Sequence, residues 1–313
     1  MNMDGIVVIN KPAGKTSHDI VYDVKKTLGA KKVGHTGTLD PLATGVLPIC
    51  INEATKIAQY LTQDKKEYRA TMQLGIRTDT LDIEGNIINR SNPCVTRGDA
   101  ERVLCRLTGI IEQLPPMFSA VKYKGRALYK WARQGIAVET KSRTVEIQKI
   151  DILDFSLPYV TFDVCCSKGT YIRSICSEAG EMLGCGACLT ALERTRSGAF
   201  TSSMAISLTG LNTEEKRKII GRETIRLRDS LPDVSSLIID KSYADKIRDG
   251  HQPSVEAMKM YHIPFLASGD MIKFIVDGEG LIALGKMMCS SDELSSLEDR
   301  KQAVKILRVF NSG

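Results

Sequence analysis

Tyr68-Arg69-Ala70-Thr71-Met72-Gln73-Leu74 alternates apolar with polar side chains, the period of a strand with one face in a core and the other in water. The same period returns in Val160, Phe162, Val164 and Cys166. That run passes through Ser167-Lys168-Gly169-Thr170 into a helical pattern with Ile172, Ile175, Cys176, Ala179 and Leu183 on one face. An earlier helix opens at Thr16, with Asp19 at capping-box spacing; it turns Ile20, Val21, Val24 and Leu28 inward and stops at Gly29. Thr96 and Asp99 open another, with Val103, Leu104 and Leu107 inside. Residues 5–10 read as a strand. Residues 31–48, rich in Gly, Thr and Pro and without a clean period, read as one long loop, a length that marks a functional candidate. Strands and helices mix without a regular βαβ repeat. That selects an α+β fold, a mixed and mainly antiparallel sheet with flanking helices, over a doubly wound parallel sheet.

A chain of 313 residues is expected to hold two domains. The texture changes near Leu231-Pro232, where the polar, helix-like run over 213–228 ends. Short apolar runs then surround Gly250, Gly269 and the turn Asp277-Gly278-Glu279-Gly280, and an apolar strand closes the chain over 304–310. We therefore expect a first domain over 1–232 and a small, mostly β domain over 237–313. No apolar run is long enough to cross a bilayer. Residues 1–10 carry Asp4 and only a short apolar run, which does not make a secretory signal. The expectation is a soluble, cytoplasmic protein.

The formal charge of +6 favours anionic partners, nucleic acid first. The nine cysteines are scattered, and the single CxxC, Cys185 with Cys188, has no second pair at zinc-ribbon spacing. His18, His35, His251 and His262 complete no zinc pattern, so reduced thiols and no metal are expected. Residues 113–143 carry seven Lys or Arg against one acid, interleaved with Phe118, Tyr123, Tyr129 and Trp131. Basic plus aromatic is the composition of an RNA-gripping element; a solvated amphipathic helix over 126–134, stopped by Gly135, is compatible with it.

Within the long loop, Gly34-His35-Thr36-Gly37-Thr38-Leu39-Asp40-Pro41 resembles the catalytic motif of the TruB-type tRNA pseudouridine synthases. Lys11-Pro12 with Gly14, Thr16 and Ser17 is similar to the family's first motif, and Lys66-Glu67-Tyr68-Arg69-Ala70 to its tyrosine motif. Thr78-Asp79-Thr80-Leu81-Asp82 is similar to its acidic turn, and 166–173, ending in Tyr171-Ile172-Arg173, to its arginine motif. The C-terminal stretch resembles an RNA-binding PUA domain.

The resemblance implies conversion of uridine 55 in the tRNA T-loop to pseudouridine. The bond from ring nitrogen to sugar breaks and the sugar rejoins a ring carbon. The change is redox-neutral and consumes nothing, so no cofactor is implied. It needs a nucleophile to hold one fragment while the base turns, a task a carboxylate can do; by resemblance this is Asp40. Arg173 is the cation expected beside it, lowering its pKa. An arginine in the first turn of a helix opposes the dipole, so it needs a reason such as a buried carboxylate. Tyr68 is expected to stack on the extruded uracil, with Tyr171 in a similar role and Leu192 closing the pocket. His35 resembles the wedge that fills the space left by a flipped base. Lys11, Asp82, Arg194, Lys122 and Arg126 are the further expected substrate or RNA contacts, the last two on the basic insertion, or thumb. At position 193 the family commonly has a first arginine of a pair; here Glu193 precedes Arg194.

The implied partner is the tRNA T-arm stem-loop, met by a monomer with no obligatory protein partner and no membrane. Two other readings stand beside this one. A guide-RNA-dependent synthase of the dyskerin type generally lacks the basic thumb that this chain has. A tRNA-folding chaperone with catalysis secondary has no need of Asp40, Tyr68 and Arg173 together. In the C-terminal stretch, Lys241, Lys246 and Arg248 face Asp240, Asp245 and Asp249. That balance makes the thumb the main source of affinity. A chain ending near Ser236 is expected to fold and act on a stem-loop.

Overall fold

In the computed structural model, which describes residues 3–62 and 65–311, the two alternating runs lie side by side. Lys66–Leu74 pairs antiparallel with Tyr159–Cys166, Tyr68 opposite Val164. The first two and last two residues of the chain, which the domain reading includes, lie outside the described residues. The larger sheet runs in the order Ile225–Arg226, Gly5–Lys11, Thr44–Ile51, Ala187–Ser197, Lys66–Leu74, Tyr159–Cys166, Arg143–Ser156, Gly109–Gln113. Neighbours are antiparallel except at its centre, where Ala187–Ser197 meets Thr44–Ile51 parallel, Glu193 opposite Thr44 and Arg194 opposite Gly45. The fold is α+β, as the mixed pattern implies. The core joins inward residues of these strands (Ile49, Ala70, Met72, Phe162) to the apolar faces of Ser17–Leu28, Arg97–Arg106 and Ile172–Met182.

The local signals explain the helix ends. Thr16 and Thr96 each close a reciprocal capping box with the Asp three residues on, and Gly29 takes the left-handed conformation at φ 63° that ends a helix at least cost. Gly45 is needed for a different reason. Its φ is +97°, and a Cβ there would lie 2.3 Å from the Arg194 carbonyl oxygen. Only glycine lets the two halves of the sheet meet at that junction.

The single long loop over 31–48 is corrected. Val33–His35 and Thr44–Ile51 are strands, which leaves residues 36–43 as the loop. The second strand was not legible by alternation because Gly45 to Ile51 are all buried; a strand covered on both faces reads as a continuous apolar run. The helix over 213–228 ends at Glu223, and Ile225–Arg226 joins the sheet edge instead. In the thumb the helix is only Leu128–Ala132. Arg126–Ala127 instead pairs with Lys122–Tyr123, and the two linking residues, Lys124 and Gly125, both have positive φ, as a tight hairpin requires.

The C-terminal strands form a separate four-stranded sheet in the order Ser235–Ile238, Met271–Val276, Gly280–Met287, Val304–Val309. It has its own core around Leu237, Ile247, Met258, Phe274 and Ile282. It also shares a second core with the first domain: Ile6, Val8, Val46, Cys50, Ala54 and Ile57 pack in one buried cluster with Ile275, Leu281, Leu284 and Phe310. Lys273, 5% exposed, reaches across to the Leu231 and Arg228 carbonyls at 2.9 and 3.2 Å. Lys56 Nζ donates to the Val309 carbonyl at 2.9 Å. This interface argues against the expectation that a chain ending near Ser236 folds by itself: the cut would bare the back of the strands that lead into the Asp40 loop. No helix among the described residues is long and apolar enough to cross a membrane.

Candidate active site

The cleft of interest, about 790 Å³, gathers the Asp40 loop, the Tyr68 strand, the start of the Arg173 helix, Leu192 and Arg194 from the middle of the strand Ala187–Ser197, and the root of the thumb. Its geometry is set by two buried arginines.

Arg173 is the second residue of Ile172–Met182 and its side chain is 4% exposed. A cation at a helix start, out of water, has to be compensated several times over. Nε lies 2.9 Å from Asp40 Oδ2, and Nη1 lies 3.3 Å from Asp82 Oδ2. Nη1 also donates to the Thr80 carbonyl and Nη2 to the Phe118 carbonyl, both at 2.9 Å. The guanidinium is thus shared between two carboxylates and two carbonyls, rather than forked on one carboxylate.

Asp82 is held for this purpose. Leu81 before it adopts a left-handed φ of 65°, a conformation that costs a bulky residue roughly 1–2 kcal/mol. Asp82 Oδ1 accepts from the Thr80 hydroxyl at 2.6 Å and from the Glu84 N–H at 3.2 Å. Expected as a substrate contact, Asp82 is 6% exposed and lies behind Arg173 as its second counter-ion. The acidic turn does not reach the cleft lining.

Asp40 itself stays 30% exposed at the side chain and lines the cleft. Its pKa is raised: burial outweighs the pull of Arg173, and the Asp82 charge adds to the rise. The expectation that Arg173 would lower it holds for the sign of that one interaction and fails for the sum. Arg173 is shared, and desolvation of a carboxylate is the larger effect.

Arg194 forms the other anchor. It was expected to touch RNA; it is 1% exposed, with Nε donating to the Val46 carbonyl at 2.7 Å and Nη2 to the Gly37 carbonyl at 3.1 Å. It ties the Asp40 loop to the parallel junction of the sheet and sits beside the Tyr68 hydroxyl. Burial pushes the Tyr68 phenol up while Arg194 pulls it down; the net is raised, so Tyr68 stays a neutral phenol. Glu193, where the family pattern has its other arginine, faces Arg69 across the strand pair.

Lys11 is likewise internal. It is fully buried, and Nζ donates to the carbonyls of Lys15 at 2.6 Å, Pro12 at 2.9 Å and Pro41 at 3.1 Å. Burial pushes its pKa down to about 8. Its ammonium is committed to holding the Asp40 loop and does not project toward a ligand.

Of the other expected residues, Tyr171, Leu192 and Lys122 line the cleft. His35 lies on the short strand Val33–His35 outside the lining. Its Nδ1 accepts from the Gly37 N–H at 3.2 Å, and burial followed by Arg194 lowers its pKa, which keeps the ring neutral. Arg126 stacks over Trp131 at 4.8 Å and donates to the Lys130 carbonyl, so it braces the thumb.

Gln113 was not foreseen as a site residue. Its side-chain amide accepts from the Tyr171 N–H at 2.7 Å and donates to the Tyr171 carbonyl at 3.1 Å, fixing the start of the Arg173 helix. A lone Gln before two prolines gives no such signal in sequence. Among the described lining residues Asp40 is the one acid, against Lys66, Lys122, Arg143, Lys168 and Arg194. Of these, Lys122, Arg143 and Lys168 are exposed, and a rim of that charge suits a polyanion. Among the described residues no three or more His, Cys, Asp or Glu are placed to hold a metal. The nine cysteines are free thiols; Cys185 and Cys188 are buried, Cys94 and Cys105 exposed.

Comparison with known proteins adds the following. The family model described as TruB family pseudouridylate synthase (N terminal domain) matches residues 25–172, and that of the tRNA pseudouridylate synthase B C-terminal domain matches residues 173–238. The seam between them cuts the first turn of the Arg173 helix and is not a boundary between folded units. The chain is 48% identical over 309 residues to the tRNA pseudouridine synthase B of Syntrophus aciditrophicus (strain SB), covering 99% of each chain. It is 45% identical over 248 residues to that of Clostridium kluyveri (strain ATCC 8527), covering 79% of this chain and 84% of the other. A solved structure, an H/ACA RNP bound to a substrate RNA containing 2′-deoxyuridine, superimposes with a TM-score of 0.72 at 28% identity, over 98% of this chain and 85% of that one.

Proposed function

Because the chain belongs to the TruB family of pseudouridylate synthases, we propose that it flips uridine 55 out of the tRNA T-loop and isomerises it to pseudouridine with Asp40 as nucleophile. The enzyme is a tRNA pseudouridine synthase, and the finer assignment rests on the cleft. One observation carries it: Asp40, the one acid among the described lining residues, sits 2.9 Å from a buried arginine at the floor of a cationic cleft that also holds Tyr68. A carboxylate whose charge is only partly compensated is basic and nucleophilic; one fully hydrogen-bonded would be inert.

In the reaction the bond from N1 to the sugar C1′ breaks, a bond from C5 to C1′ forms, the C5 proton leaves and N1 gains one. Arg173 offsets part of the burial that favours protonation of Asp40 and fixes its aim. Tyr68 offers a ring face for stacking and a neutral hydroxyl near the departing proton. His35, neutral and next to the Asp40 loop, is the wedge for the vacated stack. Lys122, Arg143 and Lys168 at the rim and the thumb beyond them meet phosphates. The C-terminal sheet is a secondary, PUA-like RNA contact. A monomer without obligatory protein partner or cofactor suffices.

The guide-dependent reading draws on the likeness to an RNP structure, at 28% identity. The 48% identity to a tRNA enzyme over the whole chain and the built thumb favour the stand-alone reading. The test uses a T-arm stem-loop tritiated at C5 of its uridines, with release of tritium to water as readout. Asp40→Asn should abolish release while RNA affinity changes less than threefold. Turnover within tenfold of the parent would remove Asp40 from the reaction. A tRNA-refolding assay on the same variant separates any chaperone role from catalysis.

A further inference from the structure

Two polar side chains of the cleft are buried without a bond. Thr36 and Ser119 are 1% and 5% exposed and line the cleft, yet neither hydroxyl has a hydrogen-bond partner in the protein. Their surroundings are not loosely bonded. The Thr170 hydroxyl donates to the Ser167 carbonyl at 2.9 Å, and the Thr144 hydroxyl to Glu112 at 2.6 Å. Buried hydroxyls almost always find a partner, and an exception calls for an explanation.

The backbones carrying these hydroxyls are pinned to the two arginines. Ser119 follows Phe118, whose carbonyl holds Arg173 Nη2 at 2.9 Å, and its own carbonyl accepts from the Tyr129 N–H at 3.1 Å. Thr36 donates its N–H to the Pro48 carbonyl at 3.2 Å and precedes Gly37, whose carbonyl holds Arg194 Nη2 at 3.1 Å. Main chains fixed this well carry two buried hydroxyls that no protein group bonds.

We propose that Thr36 and Ser119 are specificity-determining residues whose hydroxyls donate to the two ring carbonyl oxygens of the flipped uracil. The inference rests on the reading of Asp40 as the reacting group. Uracil carries carbonyl oxygens at C2 and C4, and hydroxyl donors that are already out of water bond them without a further dehydration cost. A site with unpaired buried donors rejects a ring that leaves them unpaired far more strongly than an apolar pocket does. Tyr68 and Leu192 supply stacking and shape, which any pyrimidine satisfies. The two hydroxyls supply the part that recognises carbonyls.

The test compares the parent with Thr36→Val and Ser119→Ala, each of which removes a hydroxyl and keeps the shape. The substrates are T-arm stem-loops with uridine, 2-thiouridine, 4-thiouridine or 2′-deoxyuridine at the target. Each variant should lose about tenfold or more in kcat/KM on uridine with an unchanged or higher Tm, and Thr36→Ser should restore the rate. One thio substitution should slow the parent yet cost a given variant little further, a different one for each variant. Parental kcat/KM in both variants overturns the inference. So do fully additive losses, and so does insensitivity to the 2′-deoxy substitution instead, which would put the hydroxyls on the ribose. A loss of Tm matching the loss of rate means the hydroxyls are structural and also overturns it. A parent that makes no pseudouridine refutes the reading of Asp40 itself, a failure distinct from an active parent with indifferent variants.

Discussion

Replacing Arg173 by lysine keeps the charge and removes the geometry. The guanidinium serves four partners: Asp40, Asp82 and the carbonyls of Thr80 and Phe118. An ammonium on a shorter reach has three protons and no plane, so at least one partner is left bare. A buried acceptor without a donor costs roughly 1–3 kcal/mol, and a chain of this size should lose several degrees of Tm. The effect on rate should be larger. Arg173 is the largest influence holding the Asp40 pKa down, against burial and Asp82, which both raise it. Weakening it raises that pKa further, so more of the carboxyl is protonated at a given pH. The sign follows from the proposed role: with Asp40 as nucleophile, activity needs the ionised form, is full above the pKa and is lost as pH falls through it. In Arg173→Lys that acid limb should move to higher pH, and the single-turnover rate at neutral pH should fall about a hundredfold. Tritium release from the labelled stem-loop across pH 5 to 9 measures both quantities. A lysine variant with near-parental rate, or with a slower rate but an unmoved acid limb, would refute the role given to the ion pair.

Three further outcomes follow from other parts of the fold. A chain ending at Ser236 should be insoluble or melt far below the parent, because it bares Ile6, Val8, Ala54 and Ile57; Phe310→Ala alone should cost about 3–5 kcal/mol in denaturant unfolding, and a truncated chain with the parental Tm would show that the shared core is dispensable. Lys11→Met should lower stability by freeing three carbonyls, and its pH dependence is diagnostic. With a folded pKa of about 8 against 10.5 unfolded, the parent should gain stability as pH rises from 8 toward 10.5 while the variant stays flat; parallel curves would contradict the buried ammonium. Deleting residues 122–141 should cut stem-loop affinity at least tenfold and shallow its salt dependence, since phosphate contacts release counterions. An unchanged salt slope, read by titration at several ionic strengths, would move the phosphate contacts elsewhere.

The elements that sequence alone determined are those whose signal is local. The alternation of Tyr68 to Leu74 and of Val160 to Cys166, the capping boxes at Thr16 and Thr96 and the stop at Gly29 each depend on residues within a few positions, and each appears as read. The stretch around Asp40 that carries the family resemblance was legible for a similar reason, being a contiguous motif. What sequence misjudged depends on contacts far along the chain. Residues 44–48, the first part of the strand Thr44–Ile51, looked like loop because burial on both faces removes the alternation that marks a strand. Lys11, Asp82 and Arg194 looked like substrate contacts because a charged side chain in a motif reads as exposed; only the fold sets Lys11 on three carbonyls, Asp82 behind Arg173, and Arg194 across the sheet junction 157 residues from Gly37. The C-terminal domain looked detachable because composition shows a boundary and cannot show a shared core. The raised pKa of Asp40 was likewise beyond the sequence. A neighbouring arginine can be named from a motif, but whether its attraction exceeds the cost of burial depends on how many other groups share that one cation, and three others do.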